Sequence, residues 1–188
     1  TVFRYAENLN NTRLDTAQKD GWRSPANTSM NAGTGYRVYV NYYSNSLHKF
    51  DTKGSLNRND FTFPLLTRTV NTSCSPLSYN CDLSLNGWNL LANPYPCPLD
   101  WNAAAGWTKP ANMNNAFYVW NSLAGGYRAY NGAAAVDLGV TINGEANPNV
   151  IPSSQAFFVK LLSGTSGSLI VKEAAKVTNT SGSFLRTA

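Results

Sequence analysis

Apolar and polar residues alternate in short runs along this chain, and clusters of turn-forming residues separate the runs. "YRVYVNYY" (36–43) puts Tyr36, Val38 and Val40 on one side and Arg37, Tyr39 and Asn41 on the other. That two-residue period predicts a half-buried strand. "VFRYAE" (2–7) opens with the same alternation, and residues 8–35 follow as a long polar connection anchored by Trp22. "LHKFDTKGSLNRNDFTFPLL" (47–66) reads as two strands around a turn at 53–60, the second ending near Pro64. "AFYVWN" (116–121) is aromatic on both faces and predicts a central strand covered on both sides. "NSLAGG" turns it back into "YRAYNG" (127–132), a hairpin. "AAAVDLGVTI" (133–142) predicts another strand, and "QAFFVKLL" (155–162) with "SLIVKEAA" (168–175) predicts a second hairpin around "SGTSG". The one helical signal is "PLDWNAAAG" (98–106), where Pro98 suits a helix start and Gly106 a stop. Roughly ten strands at this spacing predict an all-β, antiparallel β-sandwich or jelly-roll-like fold with one short helical turn.

"GWNLLANPYPCPLDW" (87–101) is the densest stretch. "GWNLLA" predicts a strand. Pro94, Pro96 and Pro98 then remove three N–H donors and hold Asn93, Tyr95 and Cys97 extended, so 93–98 is not a central strand. The stretch reads as a structural corner built from Asn93, Pro94, Tyr95, Pro96, Asp100 and Trp101. Tyr95 and Trp101 are its apolar plugs, with Trp101 capping the core through a turn begun near Asp100. The Asn93 and Asp100 side chains are expected to tie loop backbone amides.

Composition narrows the class. A chain of 188 residues with 43% hydrophobic content suits one domain with a real core, here 1–188, with 176–188 as a polar tail or linker. Charged residues are only 13%, and 24 asparagines with abundant Ser, Thr and Gly supply turns. The net charge is +5, but no two of the fifteen Lys and Arg are adjacent, which argues against a nucleic-acid patch. No run of 18 apolar residues predicts a membrane span. The chain opens at Thr1 without a signal peptide, so a mature or excised piece of a longer protein is expected. Cys74 and Cys81 bracket "CSPLSYNC", a spacing that fits a disulfide better than a zinc site. Cys97 is left either as a small buried residue or as a competitor of Cys74 for Cys81. Disulfide-compatible, Asn-rich and Lys-poor, the chain favours an extracellular setting.

Four separated blocks carry a resemblance. "GYRVYV" (35–40), "GWNLLANPYPCPLDW" (87–101), "AFYVWN" with "GGYRAY" (116–130) and "IPSSQAFFVK" (151–160) follow one another across almost the whole chain. In order and spacing they resemble a module of large secreted surface proteins of Bacteroidota, usually found upstream of a type IX secretion sorting domain. Cys97 and the "CSPLSYNC" loop depart from that pattern. The resemblance implies a β-sandwich module at the cell surface with a structural or adhesive role, exported by type IX secretion. It implies neighbouring domains or subunits of the same surface protein as partners. "DTA" (15–17) resembles the Bacteroidota O-glycosylation triplet, which makes Thr16 a candidate glycan site.

Catalytic patterns are sparse. The single histidine, His48, has no G-x-S-x-G elbow to serve. Two carboxylate pairs are open to a glycosidase by folding, Asp82 with Asp100 and Asp51 with Asp60, but turn-forming and solvated roles suit these acids equally. No metal or cofactor motif is present. A structural calcium held by backbone carbonyls would leave no sequence trace and is supported by no motif. Flat aromatic side chains can stack on sugars, and Tyr42, Tyr43, Trp107, Tyr127 and Tyr130 are the candidates for that role, set against the ordinary use of such residues in cores and rims. Trp88, Trp101 and Trp120 read as core.

The expectation is a non-catalytic structural or adhesive module of a secreted cell-surface protein. The alternative is a carbohydrate-binding module of a polysaccharide-degrading system, and the third reading is a glycoside-active enzyme.

Overall fold

A computed structural model describes residues 2–7, 21–25, 29–38, 53–70, 86–121, 125–132, 135–137 and 148–178, the three residues 135–137 by backbone alone. Strands are short and antiparallel throughout, and no α-helix occurs among the described residues. The protein is all-β and sandwich-like.

One five-stranded sheet organises the rest. Its hairpin is β9 (Phe117–Asn121) and β10 (Gly126–Tyr130), which pair from Gly126 opposite Asn121 to Tyr130 opposite Phe117. Gly125 takes a φ of 64° at the turn, the left-handed region that glycine enters without strain. β13 (Ala156–Lys160) lies on the other side of β9, β6 (Trp88–Ala92) beyond it, and β11 (Ala135–Asp137) outside β10. Register fixes two faces. Phe157 faces Leu91 across the ladder, while Phe158 faces Leu90 and Tyr118. Alternation therefore turns Phe117, Val119, Phe157, Val159 and Leu91 inward, and all five are buried. Tyr118, Trp120, Tyr127, Phe158, Trp88 and Leu90 turn outward.

Short strands close the inner face. β7 (Leu99–Asp100) pairs β12 (Val150–Ile151), and β5 (Leu66–Thr67) pairs β14 (Ser166–Gly167). β15 (Ile170–Val171) lies between β4 (Phe61–Thr62) and β8 (Trp107–Thr108). They deliver Leu66, Leu99, Ile151 and Val171, each fully buried, into the same core as Phe157 and Val159. The outer face meets a three-stranded sheet in which β1 (Val2–Tyr5) runs between β2 (Trp22–Arg23) and β3 (Tyr36–Val38). Tyr5 and Trp22 set ring edges against Phe158 at centroid distances of 5.1 and 6.1 Å. Edge-to-face packing of this kind adds to burial because ring edges are positive and faces negative.

Three sequence expectations need correction. "QAFFVKLL" and "SLIVKEAA" do not pair: β13 bonds to β6 and β9, whereas β15 bonds to β4 and β8. The glycine-rich turn between them is a passage from one sheet to another, because Leu169 and Val171 reach the core from the opposite side. Residues 98–106 form no helix. Leu99 is drawn into a ladder with Ile151, and Asp100 accepts the Asn102 N–H at 2.8 Å, which sets a turn in place of a helical start. Two tight turns follow, closed by Ala103 N–H to Asp100 O and Gly106 N–H to Ala103 O. The short helical turn lies instead at Glu173–Ala175. Of the two strands expected around a turn at 53–60, the second is observed as β4, which pairs β15, and the first lies outside the described residues. Trp120, expected in the core, is 45% exposed, and Trp88, expected there too, turns to the outer face. In the strand expected at 36–43, Tyr36–Val38 is observed and the remainder lies outside the described residues.

Candidate functional site

The proline-rich corner is occupied by its own chain. The Asn93 side chain accepts the Tyr95 N–H at 2.9 Å and donates to the carbonyls of Cys97 (2.8 Å), Pro152 (3.0 Å) and Ile151 (3.3 Å). Asn57 donates to Pro94 O, and Ser153 to Tyr95 O. Pro96 lies in the bend between them. Tyr95 is buried, its hydroxyl donates to Asn59 O, and the Lys176 ammonium stands 3.9 Å from its ring centre. Burial, with Glu173 and Asp60 adding to it, pushes its phenol up to about 12. Asp100 accepts from Asn102 N–H and from the Asn149 amide at 2.6 Å. Trp101 is fully buried, with Lys109 Nζ 3.8 Å from its ring centre. Burial lowers that ammonium to about 8, against the opposing pull of Asp100. The polar groups named here are thus bonded within the chain itself.

The aromatic candidates divide. Trp107 lies against the core, parallel to Phe63 and 4.7 Å from Trp101, and its indole N–H is spent on Asp100 O. Tyr130 is buried beside Phe117, and its hydroxyl accepts from Asn102. Neither offers a ring to a ligand, because the strand row that carries each one faces inward. Tyr127 faces outward. Tyr42, Tyr43, Thr16, Cys74, Cys81, His48, Asp51 and Asp82 lie outside the described residues. Cys97 is a free thiol packed at the edge of the core.

Tyr127 belongs to a cleft of about 220 Å³ between the outer face of the five-stranded sheet and the edge of the three-stranded one. Trp22, Tyr36, Tyr118, Trp120, Tyr127 and Phe158 supply its aromatic surface. Register explains the grouping: Trp120 sits directly opposite Tyr127 in the hairpin, and their rings meet edge to face at 5.1 Å. Tyr127 in turn meets Phe158 at 5.7 Å, and Phe158 meets Trp22. Two polar side chains join them, Arg37 and Gln155. The Arg37 guanidinium lies 5.5 Å from the centre of the Trp22 ring. Burial raises the Tyr127 phenol above its ordinary range, and Arg37 opposes that rise.

Trp120 is the cleft residue that sequence reading misplaced. "FYVWN" is aromatic at both parities, so alternation alone could not say which parity faces the core. The usable signal was its position across the "NSLAGG" turn from Tyr127. Nothing local could have placed Trp22 or Arg37 beside them.

A second hollow, about 410 Å³, lies along β1 and β6 and includes Arg4, Glu7, Pro64, Leu65 and Trp88. Glu7 there is buried and committed: it accepts from Thr69 N–H, Thr69 Oγ1 and Gly87 N–H at 2.7–2.8 Å. Among the described residues no three His, Cys, Asp or Glu side chains come together as a metal site. No described helix is long and apolar enough to cross a membrane.

An all-β domain with an aromatic cleft on its outer sheet face is the class that fold and geometry define. Over residues 1–188 the chain belongs to a family described as a domain of unknown function, DUF8693. No curated protein and no solved structure matches it.

Proposed function

We propose that the chain is a non-catalytic adhesive module of a secreted cell-surface protein, and that it adheres to carbohydrate through the aromatic cleft. The observation that carries the reading is Trp120: a large ring left 45% exposed while its neighbours on the same face pack edge to face around it. A tryptophan in that position presents apolar area at the surface together with an N–H donor. Flat C–H faces of sugar rings complement such a surface, and Arg37 and Gln155 stand ready for the hydroxyls. The polar groups of the conspicuous corner are consumed by its own backbone, so the cleft is the better claimant to recognition. The resemblance to secreted Bacteroidota surface modules supports the extracellular setting, with export by type IX secretion and neighbouring domains as partners.

The test is a panel of soluble polysaccharides in affinity electrophoresis and calorimetry. Saturable binding at about millimolar or tighter, lost in Trp120→Ala and Tyr127→Ala, supports the reading. Failure of the wild-type domain to bind any polysaccharide would remove the carbohydrate part and leave a purely structural module.

A further inference from the structure

We infer that the cleft selects acidic sugars, with Arg37 as the residue that reads the carboxylate. This rests on the carbohydrate reading above and narrows its ligand class. Charge at the cleft is one-sided: among the described residues Arg37 is the one lining residue with a formal charge, and no carboxylate lines the wall. Arg37 is exposed, and among the described residues it has no ion pair; its neighbour is the face of Trp22. A guanidinium laid on an aromatic face keeps its planar fork of donors free for a carboxylate, which it can grip with two parallel hydrogen bonds.

A second cation lies on the same outer face. Further along the outer face Lys160 lies over Trp88, 4.9 Å from its ring centre. Gln155 donates its side-chain amide to Ala156 O, which leaves the carbonyl end of its side chain as an acceptor for a sugar hydroxyl. Aromatic rings for the pyranose faces, one exposed cation and one amide acceptor describe a uronic-acid residue better than a neutral hexose.

The experiment compares three soluble polymers: polygalacturonate, the galactan made from it by carboxyl reduction, and polyglutamate. Wild-type domain is expected to bind polygalacturonate about tenfold more tightly than the reduced galactan. Arg37→Gln should erase that preference while keeping the weaker galactan binding, and Trp120→Ala should lose both. Changing the ligand requires no variant to fold, so the comparison stands even if Arg37→Gln does not. Equal affinity for the two sugar polymers would overturn the acid preference and leave the carbohydrate reading intact. Binding to neither would overturn both. Competition by polyglutamate as strong as by polygalacturonate would overturn the inference too, because charge alone would then account for binding.

Discussion

The side-chain oxygen of Asn93 accepts the backbone N–H of Tyr95 at 2.9 Å, two residues on. The amide nitrogen of the same side chain serves three carbonyls on the far side of the corner. One buried residue thus bridges the end of β6, the proline bend and the segment after β12.

Replacing Asn93 by Ala should cost about 2–4 kcal/mol, because buried carbonyls and an N–H lose their partners in a place water does not reach. Asn93→Asp should be at least as harmful: it keeps the acceptor but turns a carboxylate toward carbonyl oxygens. Urea unfolding of both variants measures this. A loss below about 0.5 kcal/mol for Asn93→Ala would show that the corner holds without it.

The tryptophans should separate stability from binding. Trp101→Ala removes a fully buried ring from the core and should cost about 3–5 kcal/mol. Trp120→Ala removes a ring that solvent already reaches and should cost about 0.5–1 kcal/mol. Thermal melts of the two variants beside polysaccharide titrations give the contrast. A melt of Trp120→Ala as low as that of Trp101→Ala would make Trp120 a core residue after all.

Glu7 predicts a link between distant segments. Its carboxylate accepts from Thr69 and Gly87, so the chain after β1 is pinned both to the segment after β5 and to the residue just before β6. Glu7→Ala should cost about 2–4 kcal/mol, since buried N–H groups lose a charged acceptor. Hydrogen exchange should then rise first at the Thr69 and Gly87 amides. Unchanged protection at both would dissociate Glu7 from their order.

Alkaline pH should act twice, in opposite directions. Lys109 titrates near 8 in the fold against 10.5 when free, so between those values the unfolded chain binds the extra proton and stability rises with pH. Tyr95 titrates near 12 against 10.0, so its contribution is full below 10 and is lost as pH climbs toward 12. Melting temperatures taken from pH 7 to 11.5 should show the rise shrink in Lys109→Met and the fall shrink in Tyr95→Phe. Superimposable profiles for wild type and variants would refute both assignments.

What the sequence disclosed was what is local in it. The β9–β10 hairpin was readable because the turn and both alternating runs lie within fifteen residues, and three prolines announced the corner. The "SGTSG" turn misled because a turn signal states that the chain bends, and says nothing about which strand it meets next. Of the cleft, only Tyr127 was foreseen. Trp22, Arg37, Trp120 and Phe158 come from four separate stretches, and only the pairing of sheets brings them to one surface.

The β4-β15-β8 sheet has a consequence in time. β15, its middle strand, is the last strand among the described residues, while β4 lies about a hundred residues earlier, an interval that synthesis at roughly 5–20 residues per second spans in roughly 5–20 s. Through that interval Phe61 and Phe63 wait without the strand that covers them. Pairings so distant in sequence also carry a high loop-closure cost and fold on the slower, millisecond-to-second scale. A nascent chain of this protein therefore exposes aromatic surface until β15 arrives, and its hazard is aggregation during synthesis more than unfolding once made.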